Sequence, residues 1–393
     1  MNKIISESIN KVRANLEAEK FKGYDPYDTL NSFIPFEKMG KWIPILALQF
    51  QKRNPINIRP LLGIKKGINP KGMGLLLRAY TILSQTDKNS PEVQAKMEEI
   101  FNWLVDNPSK GYSGYCWGYN FAWASKDKFL KPYVPNIVAT SFVAKGMFEY
   151  YEQTKNQKAK EVIISITDFL LNDLPTTENE LGFCISYTPI KQDACFNATL
   201  LGAEVLAKAY YLSGNELYKK RAVQIMDFVI SYQKPAGEWN YNVDLQTGKE
   251  QKQIDFHQGY NVETIYMICK YLGLADEKYT NSIKKGLEFY RREQFFESGQ
   301  SLWRIPRVYP VEIHNQSQGV ITFTLLKEFN KEYFSFANTI AEWTIKNMQH
   351  PKGYFYNRKN KYYDIKIPYV RWSNSWMFLA LAILHRENFK QKA

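Results

Sequence analysis

The chain has 393 residues, 45% hydrophobic and 23% charged, with 52 Lys and Arg against 39 Asp and Glu for a formal net charge of +13. That composition excludes the disordered and fibrous classes and allows a large buried core, while the basic excess favours an anionic partner such as nucleic acid, anionic lipid or an acidic glycan. No stretch reaches the roughly 20 apolar residues that a bilayer span requires, the best runs at 42–50 and 376–384 being about half that length.

The first twenty residues place Ile4, Ile5, Ile9, Val12 and Leu16 on one helical face. Charges interleave throughout this helix, which therefore lacks the continuous apolar segment of a secretion signal, and a cytoplasmic location is expected. Residues 20–70, rich in proline, are expected to form covering loops and one extra helix. From residue 72 one unit recurs: a helix, a short turn, a second helix and a long aromatic loop. The pairs fall at 72–84 and 91–107, 139–154 and 158–174, 197–211 and 215–233, 261–273 and 278–294, and 318–329 and 332–349. A last helix, 373–386, has no partner after it.

The first helices start near residues 74, 140, 197, 261, 318 and 374, about 60 residues apart, which is the spacing of a repeated architecture. An open superhelix would end in polar capping repeats, whereas here both ends are apolar and unpaired. The expected fold is all-α: a single (α/α)6 toroid over residues 1–393, six inner helices inside six outer ones, closed by the N-terminal helix on 373–386.

In such a ring the loops from each outer helix to the next inner helix are long and open on one mouth, where function is expected. They carry Trp117 and Tyr119, then Tyr187, Asp193 and Asn197. Next come Trp239, Tyr241, Asp255, His257, Tyr260, Asn261 and Glu263, followed by Trp303, His314 and Gln318, and finally Arg371, Trp372 and Asn374. Rings beside amides, carboxylates and guanidinium groups suit a sugar, which offers apolar C–H faces and hydroxyls that need paired hydrogen bonds.

His257 and His314 precede two neighbouring inner helices at matching positions, and an imidazole is the usual proton-transfer group near neutral pH. A loop tyrosine, Tyr260 or Tyr241, would be its acid partner. Asp193 and Asp255 also match in position; they are either an acid and base pair for glycoside hydrolysis, with Glu263 as a further carboxylate, or helix-start anions. Arg371 is the expected bidentate clamp on a substrate carboxylate.

Cys116, Cys184, Cys195 and Cys269 lack CxxC spacing and read as ordinary thiols. No phosphate loop, dinucleotide fingerprint or zinc motif occurs, so neither cofactor nor metal is expected. Basic residues are spread over expected outer helices, which argues against a nucleic-acid partner.

As architecture, nearly the whole chain resembles the (α/α)6 carbohydrate-active proteins: uronate-polysaccharide lyases, glucuronyl C5-epimerases, unsaturated glucuronyl hydrolases and amino-sugar 2-epimerases. The segments Asn197-Ala-Thr-Leu-Leu-Gly-Ala-Glu204, Gln233-Lys-Pro-Ala-Gly-Glu-Trp239 and Asp255-Phe-His-Gln-Gly-Tyr260 look like parts of bacterial proteins associated with surface-polysaccharide genes. The resemblance implies an enzyme acting by proton abstraction, of lyase or epimerase type, on a glycan that contains uronic acid. A glycoside hydrolase with paired carboxylates and a non-catalytic glycan-binding scaffold are the alternatives. Gln233-x-x-x-Gly-x-Trp239 also resembles the Gln/Trp repeat of triterpene cyclases, although their Asp-rich protonation motif is missing.

Overall fold

The computed structural model describes residues 2–87, 90–125 and 129–391. Two helices, α1 (Asn2–Ala18) and α2 (Trp42–Arg53), precede five hairpins: α3 (Pro70–Thr86) with α4 (Pro91–Asp106), α5 (Ile137–Thr154) with α6 (Gln157–Asp168), α7 (Phe196–Ser213) with α8 (Glu216–Ser231), α9 (His257–Leu272) with α10 (Glu277–Gln294), and α11 (Ile313–Leu325) with α12 (Lys331–Met348). Helix α13 (Ser375–Lys390) ends the chain. Seven of these starts have a sequence cause. Side chains of Asn69, Ser90, Asn136, Asn156, Asn215, Asp276 and Asn330 accept from a backbone N–H of the first turn.

Helices α3, α5, α7, α9, α11 and α13 pack each on the next, and α13 returns to α3, so the inner ring is closed. The outer places belong to α4, α6, α8, α10 and α12, and α1 takes the sixth by packing on α13 and α12. Burial follows that division. Helix α13 is buried all round from Ser375 to Leu384, whereas α10 buries one stripe that includes Tyr279, Ile283, Leu287 and Tyr290. Gly74 and Gly146 let α3 and α5 touch: a Cβ on Gly74 would lie 2.7 Å from the Val143 Cα, and one on Gly146 2.4 Å from the Gly74 carbonyl oxygen.

The long loops are less irregular than expected. β1 (Trp123–Ala124) pairs with β2 (Phe129–Leu130), and β3 (Thr176–Asn179) with β4 (Gly182–Ile185). β5 (Ala194–Cys195), β6 (Asn242–Val243) and β7 (Glu250–Gln251) form an antiparallel sheet in that order, with Ala194 opposite Val243 and Asn242 opposite Gln251. β8 (Val311–Glu312), β9 (Arg358–Lys359) and β10 (Asp364–Ile365) form another, with Glu312 opposite Arg358. These two sheets stitch the loops of neighbouring hairpins together and stiffen the mouth.

Four boundaries differ from expectation. The helix expected over 158–174 leaves α geometry after Asp168 and ends in a π turn, Phe169–Asp173, and a π turn at Val370–Asn374 leads into α13. His257 and His314 stand inside the first turns of α9 and α11 rather than ahead of them. The Asp255 carboxylate accepts from the His257 backbone N–H at 3.2 Å, and β8 runs directly into α11, so both helices begin early. The segment before α3 is tied down by bridges from Gly23 to Gly67 and from Tyr24 to Tyr369. Among the described residues no helix is long and apolar enough to cross a membrane. All four cysteines are buried thiols that take part in no disulfide.

Candidate active site

A cavity of about 470 Å³ opens where the long loops meet, a size that fits a small organic ligand. Its walls come from the segments ahead of α5, α7, α9, α11 and α13, together with Tyr27 and Lys52 from the segment before α3. Of the residues singled out from the sequence, Tyr119, Tyr187, Asp193, Asn197, Tyr241, Asp255, His257, Tyr260, Trp303, His314, Arg371 and Trp372 line it.

His257 is held by its neighbour in sequence. The ring Nδ1 lies 2.5 Å from Asp255 Oδ1, while Asp255 Oδ2 accepts from Gln253 Nε2 at 2.8 Å and lies 3.5 Å from Arg304 Nε. A carboxylate only accepts, so Nδ1 carries the proton of the neutral imidazole and Nε2 keeps its lone pair. The side chain is 14% exposed, on the cavity it lines. Asp255 therefore holds both the backbone N–H and the ring of His257.

His314 differs. Its Nε2 meets the Tyr260 hydroxyl in a short hydrogen bond, and its ring stacks on Phe256 with Trp372 and Trp376 also against it. Burial, with the charges of Lys71 and Arg371 adding to it, pulls the imidazole well below its ordinary value, so it is neutral. Burial and the charge of Glu263 push the Tyr260 hydroxyl well above its own, so it stays protonated and donates. The His314 proton then sits on Nδ1, which is buried without a partner among the described residues.

Arg371 lines the cavity, but its guanidinium is already committed. Nε and Nη2 reach Asp25 at 2.5 and 2.7 Å in a buried bidentate pair, so the expected clamp on a substrate carboxylate is occupied by the protein's own carboxylate. Lys71, at the start of α3, is a second kind of cavity cation. Its Nζ lies 4.4 Å from the centre of the Phe142 ring and 5.3 Å from that of Trp376, and among the described residues no carboxylate pairs with it. Burial, aided by the charges of Arg371 and Lys145 and opposed by Asp25, draws its ammonium well below the usual lysine value.

Aromatic walls are fixed by a carboxylate. Glu312 accepts from Trp372 Nε1 at 2.9 Å, from Trp303 Nε1 at 3.3 Å and from Arg358 Nη2 at 2.8 Å. Burial disfavours its charge, yet Arg358 and Lys52 outweigh that and hold the carboxyl below its usual range. Two indole rings are thereby set on the cavity wall. Opposite them in sequence, Tyr119 and Phe121 stack with centres 5.2 Å apart. Asp193 accepts from the Tyr187 backbone N–H at 2.8 Å, and Asn197 from Cys195 Sγ at 3.1 Å.

Six expected site residues do not line the cavity. Trp117 and Trp239 are wholly buried, with their indole N–H groups donated to the Leu104 and Val229 carbonyls of outer helices, so each ring fills the gap between the two helical rings. Asn374 accepts from the Phe355 backbone N–H, and Asn261 is buried within α9. Glu263 and Gln318 lie deeper along the inner helices. Glu263 pairs with Lys145 at 3.3 Å and accepts from Gln318 Nε2 at 2.8 Å, within a buried charge network that also joins Lys145 to Glu204.

Conversely, Tyr27, Lys52, Lys71, Glu312 and Arg358 line the cavity unforeseen. For Lys71 a signal existed: it occupies the first turn of an inner helix, as His257 and His314 do.

No family model and no curated protein matches the chain. Solved structures do. Cellobiose 2-epimerase from Bacillus thermoamylovorans superposes with a TM-score of 0.63 at 15% identity over 82% of this chain and 88% of its own. An unsaturated glucuronyl hydrolase specific for heparin gives 0.62 at 11% identity over 100% and 98%, and D-mannose isomerase gives 0.59 at 13% over 81% and 87%. The chain shares with them the (α/α)6 toroid.

Proposed function

We propose that the chain is a carbohydrate-active enzyme that moves a proton at a sugar carbon beside a carbonyl or carboxylate group, in the manner of an epimerase or lyase. The observation that carries this reading is the Asp255–His257 pair on the wall of a cavity lined with aromatic rings. With Nδ1–H held by Asp255, Nε2 is the basic nitrogen offered to a ligand, and the carboxylate steadies the imidazolium that forms when a proton is taken.

Proton removal leaves negative charge on the adjacent oxygen, and Lys71, on the cavity wall, is the group suited to lie against it. Tyr241, whose ring lies edge-on to His257 at 5.0 Å, is a better proton donor than Tyr260, whose hydroxyl is spent on His314. The neighbouring Cys195 and burial hold the Tyr241 hydroxyl well above its ordinary value, hence protonated. Trp303 and Trp372 would stack on the sugar faces.

With Arg371 neutralised by Asp25, Lys52, Lys71, Lys191, Arg304 and Arg358 line the cavity against Asp193, Asp255 and Glu312, a balance that favours an acidic sugar such as a uronic acid. The fold is shared with a cellobiose 2-epimerase, a mannose isomerase and an unsaturated glucuronyl hydrolase, which supports sugar chemistry by analogy alone. Hydrolysis by paired carboxylates is less well served, because Asp255 is engaged by His257 and Glu312 by Arg358 and two indoles. The test is incubation with a panel of acidic and neutral oligosaccharides. An epimeric product or new absorbance from an unsaturated uronate supports the reading, whereas new reducing ends without unsaturation overturn it in favour of a hydrolase.

A further inference from the structure

Helix α2 is apolar on both faces. Pro44, Leu48 and Gln51 face the protein and are buried, while Trp42, Leu46 and Phe50, spaced four apart and therefore aligned, are 58%, 61% and 64% exposed. In the segments flanking this helix Phe33 at 72%, Ile56 at 68% and Leu61 at 78% are exposed as well. Phe33 stands beside Leu61, its backbone N–H donating to the Leu62 carbonyl at 3.2 Å, and Ile56 follows directly on the end of α2. Exposed apolar side chains usually occur singly; three large ones aligned on one helix face mark a contact surface.

Charge indicates what the contact is. Within residues 33–65 Glu37 is the single acid, whereas Lys38, Lys41, Arg53 and Lys65 are all exposed, on a chain of net charge +13. A second copy of the same face would bring these like charges together. An anionic lipid surface would neutralise them. At 12 residues α2 is too short to span a bilayer but suits the interface, where an apolar stripe enters the headgroup boundary and basic residues meet the lipid phosphates. A tryptophan at the helix edge is suited to that depth.

We propose that this face docks on a bilayer rich in anionic lipid, with α2 lying in the interface and Trp42, Leu46 and Phe50 inserted below the headgroups. Lys52, on the same helix, lines the cavity, so docking sets the bilayer beside the mouth.

Co-flotation of the full chain with vesicles of phosphatidylcholine alone, and of phosphatidylcholine mixed with phosphatidylglycerol, tests this at low and high salt. Binding is expected to the mixed vesicles and to weaken with salt. W42S/L46S/F50S should reduce partitioning on the order of 100-fold, since each ring or chain withdrawn from the interface forfeits a large part of its transfer energy. K38E/K41E should reduce it on mixed vesicles alone, by roughly fivefold per charge. All five positions are exposed, so an unaltered melting curve verifies the fold. Failure of the wild-type chain to bind mixed vesicles, equal binding by the triple variant, or a dimer in light scattering that W42S/L46S/F50S dissociates while vesicles recruit nothing would each overturn the proposal.

Discussion

Arg371 meets Asp25 through two parallel contacts of 2.5 and 2.7 Å, joining groups 346 positions apart in the chain. The pair straps the segment before α3 to the entry of α13 and sets one wall of the cavity. It continues through Arg59, whose Nε donates to Asp28 at 2.7 Å and whose Nη2 donates to the Asp25 carbonyl at 2.8 Å.

Breaking that strap on one side should be costly. Arg371→Met leaves the Asp25 carboxylate buried without its partner, and a loss of about 3–5 kcal/mol in urea unfolding is expected. Adding Asp25→Asn should recover part of it. A single-mutant loss below about 1 kcal/mol would mean that the pair is solvated and holds nothing.

Two tryptophans separate packing from binding. Trp239→Ala opens a hole between α8 and α9 and should cost about 3–5 kcal/mol of stability. Trp372→Ala should lower stability less but weaken a bound sugar roughly tenfold. Calorimetric titration beside thermal melts checks both, and the opposite pattern would return Trp372 to the core.

How much of this was readable in the residues varies along the chain. The hairpins announce themselves because inner and outer helices differ in burial and because each pair ends in a glycine and aromatic loop, so the ring and its closure by α1 follow from periodicity. The loops read as one class, however, although Trp117 and Trp239 serve the gap between rings and Trp303 and Trp372 serve the cavity. Nothing local distinguishes them; the difference is made by the carbonyls of Leu104 and Val229 in one case and the Glu312 carboxylate in the other. Lys52 reaches the mouth from the segment before α3, where sequence pattern gave no reason to look, whereas Lys71 shares with His257 and His314 the first turn of an inner helix.

The buried neutral His314 ties stability to pH. Its value in the folded protein lies well below the 6.5 of the unfolded chain, because burial opposes its charge. Above that range neither state binds the proton; below it the unfolded chain takes up a proton that the folded one refuses. Stability should therefore fall as pH drops below about 6.5, by up to about 1.4 kcal/mol per pH unit from this residue. His314→Gln should flatten the profile measured by urea unfolding between about pH 8 and pH 5. An identical slope in the variant would show that His314 titrates normally.

Asp255→Asn tests the orienting carboxylate. The amide is nearly isosteric but no longer stabilises Nδ1–H, so kcat should fall on the order of 100-fold or more while KM changes little. A change confined to KM would make Asp255 a binding group.

The most direct measurement follows exchange at carbon. A substrate identified from the oligosaccharide panel is incubated in deuterated water with wild-type protein and with His257→Gln, and NMR records deuterium at the carbon beside the carbonyl or carboxylate. Wild-type protein should introduce deuterium at that single carbon, and His257→Gln, still folded and still binding, should do so on the order of 100-fold more slowly. Turnover without any deuterium uptake, or uptake at the same rate in the variant, would contradict proton transfer by His257.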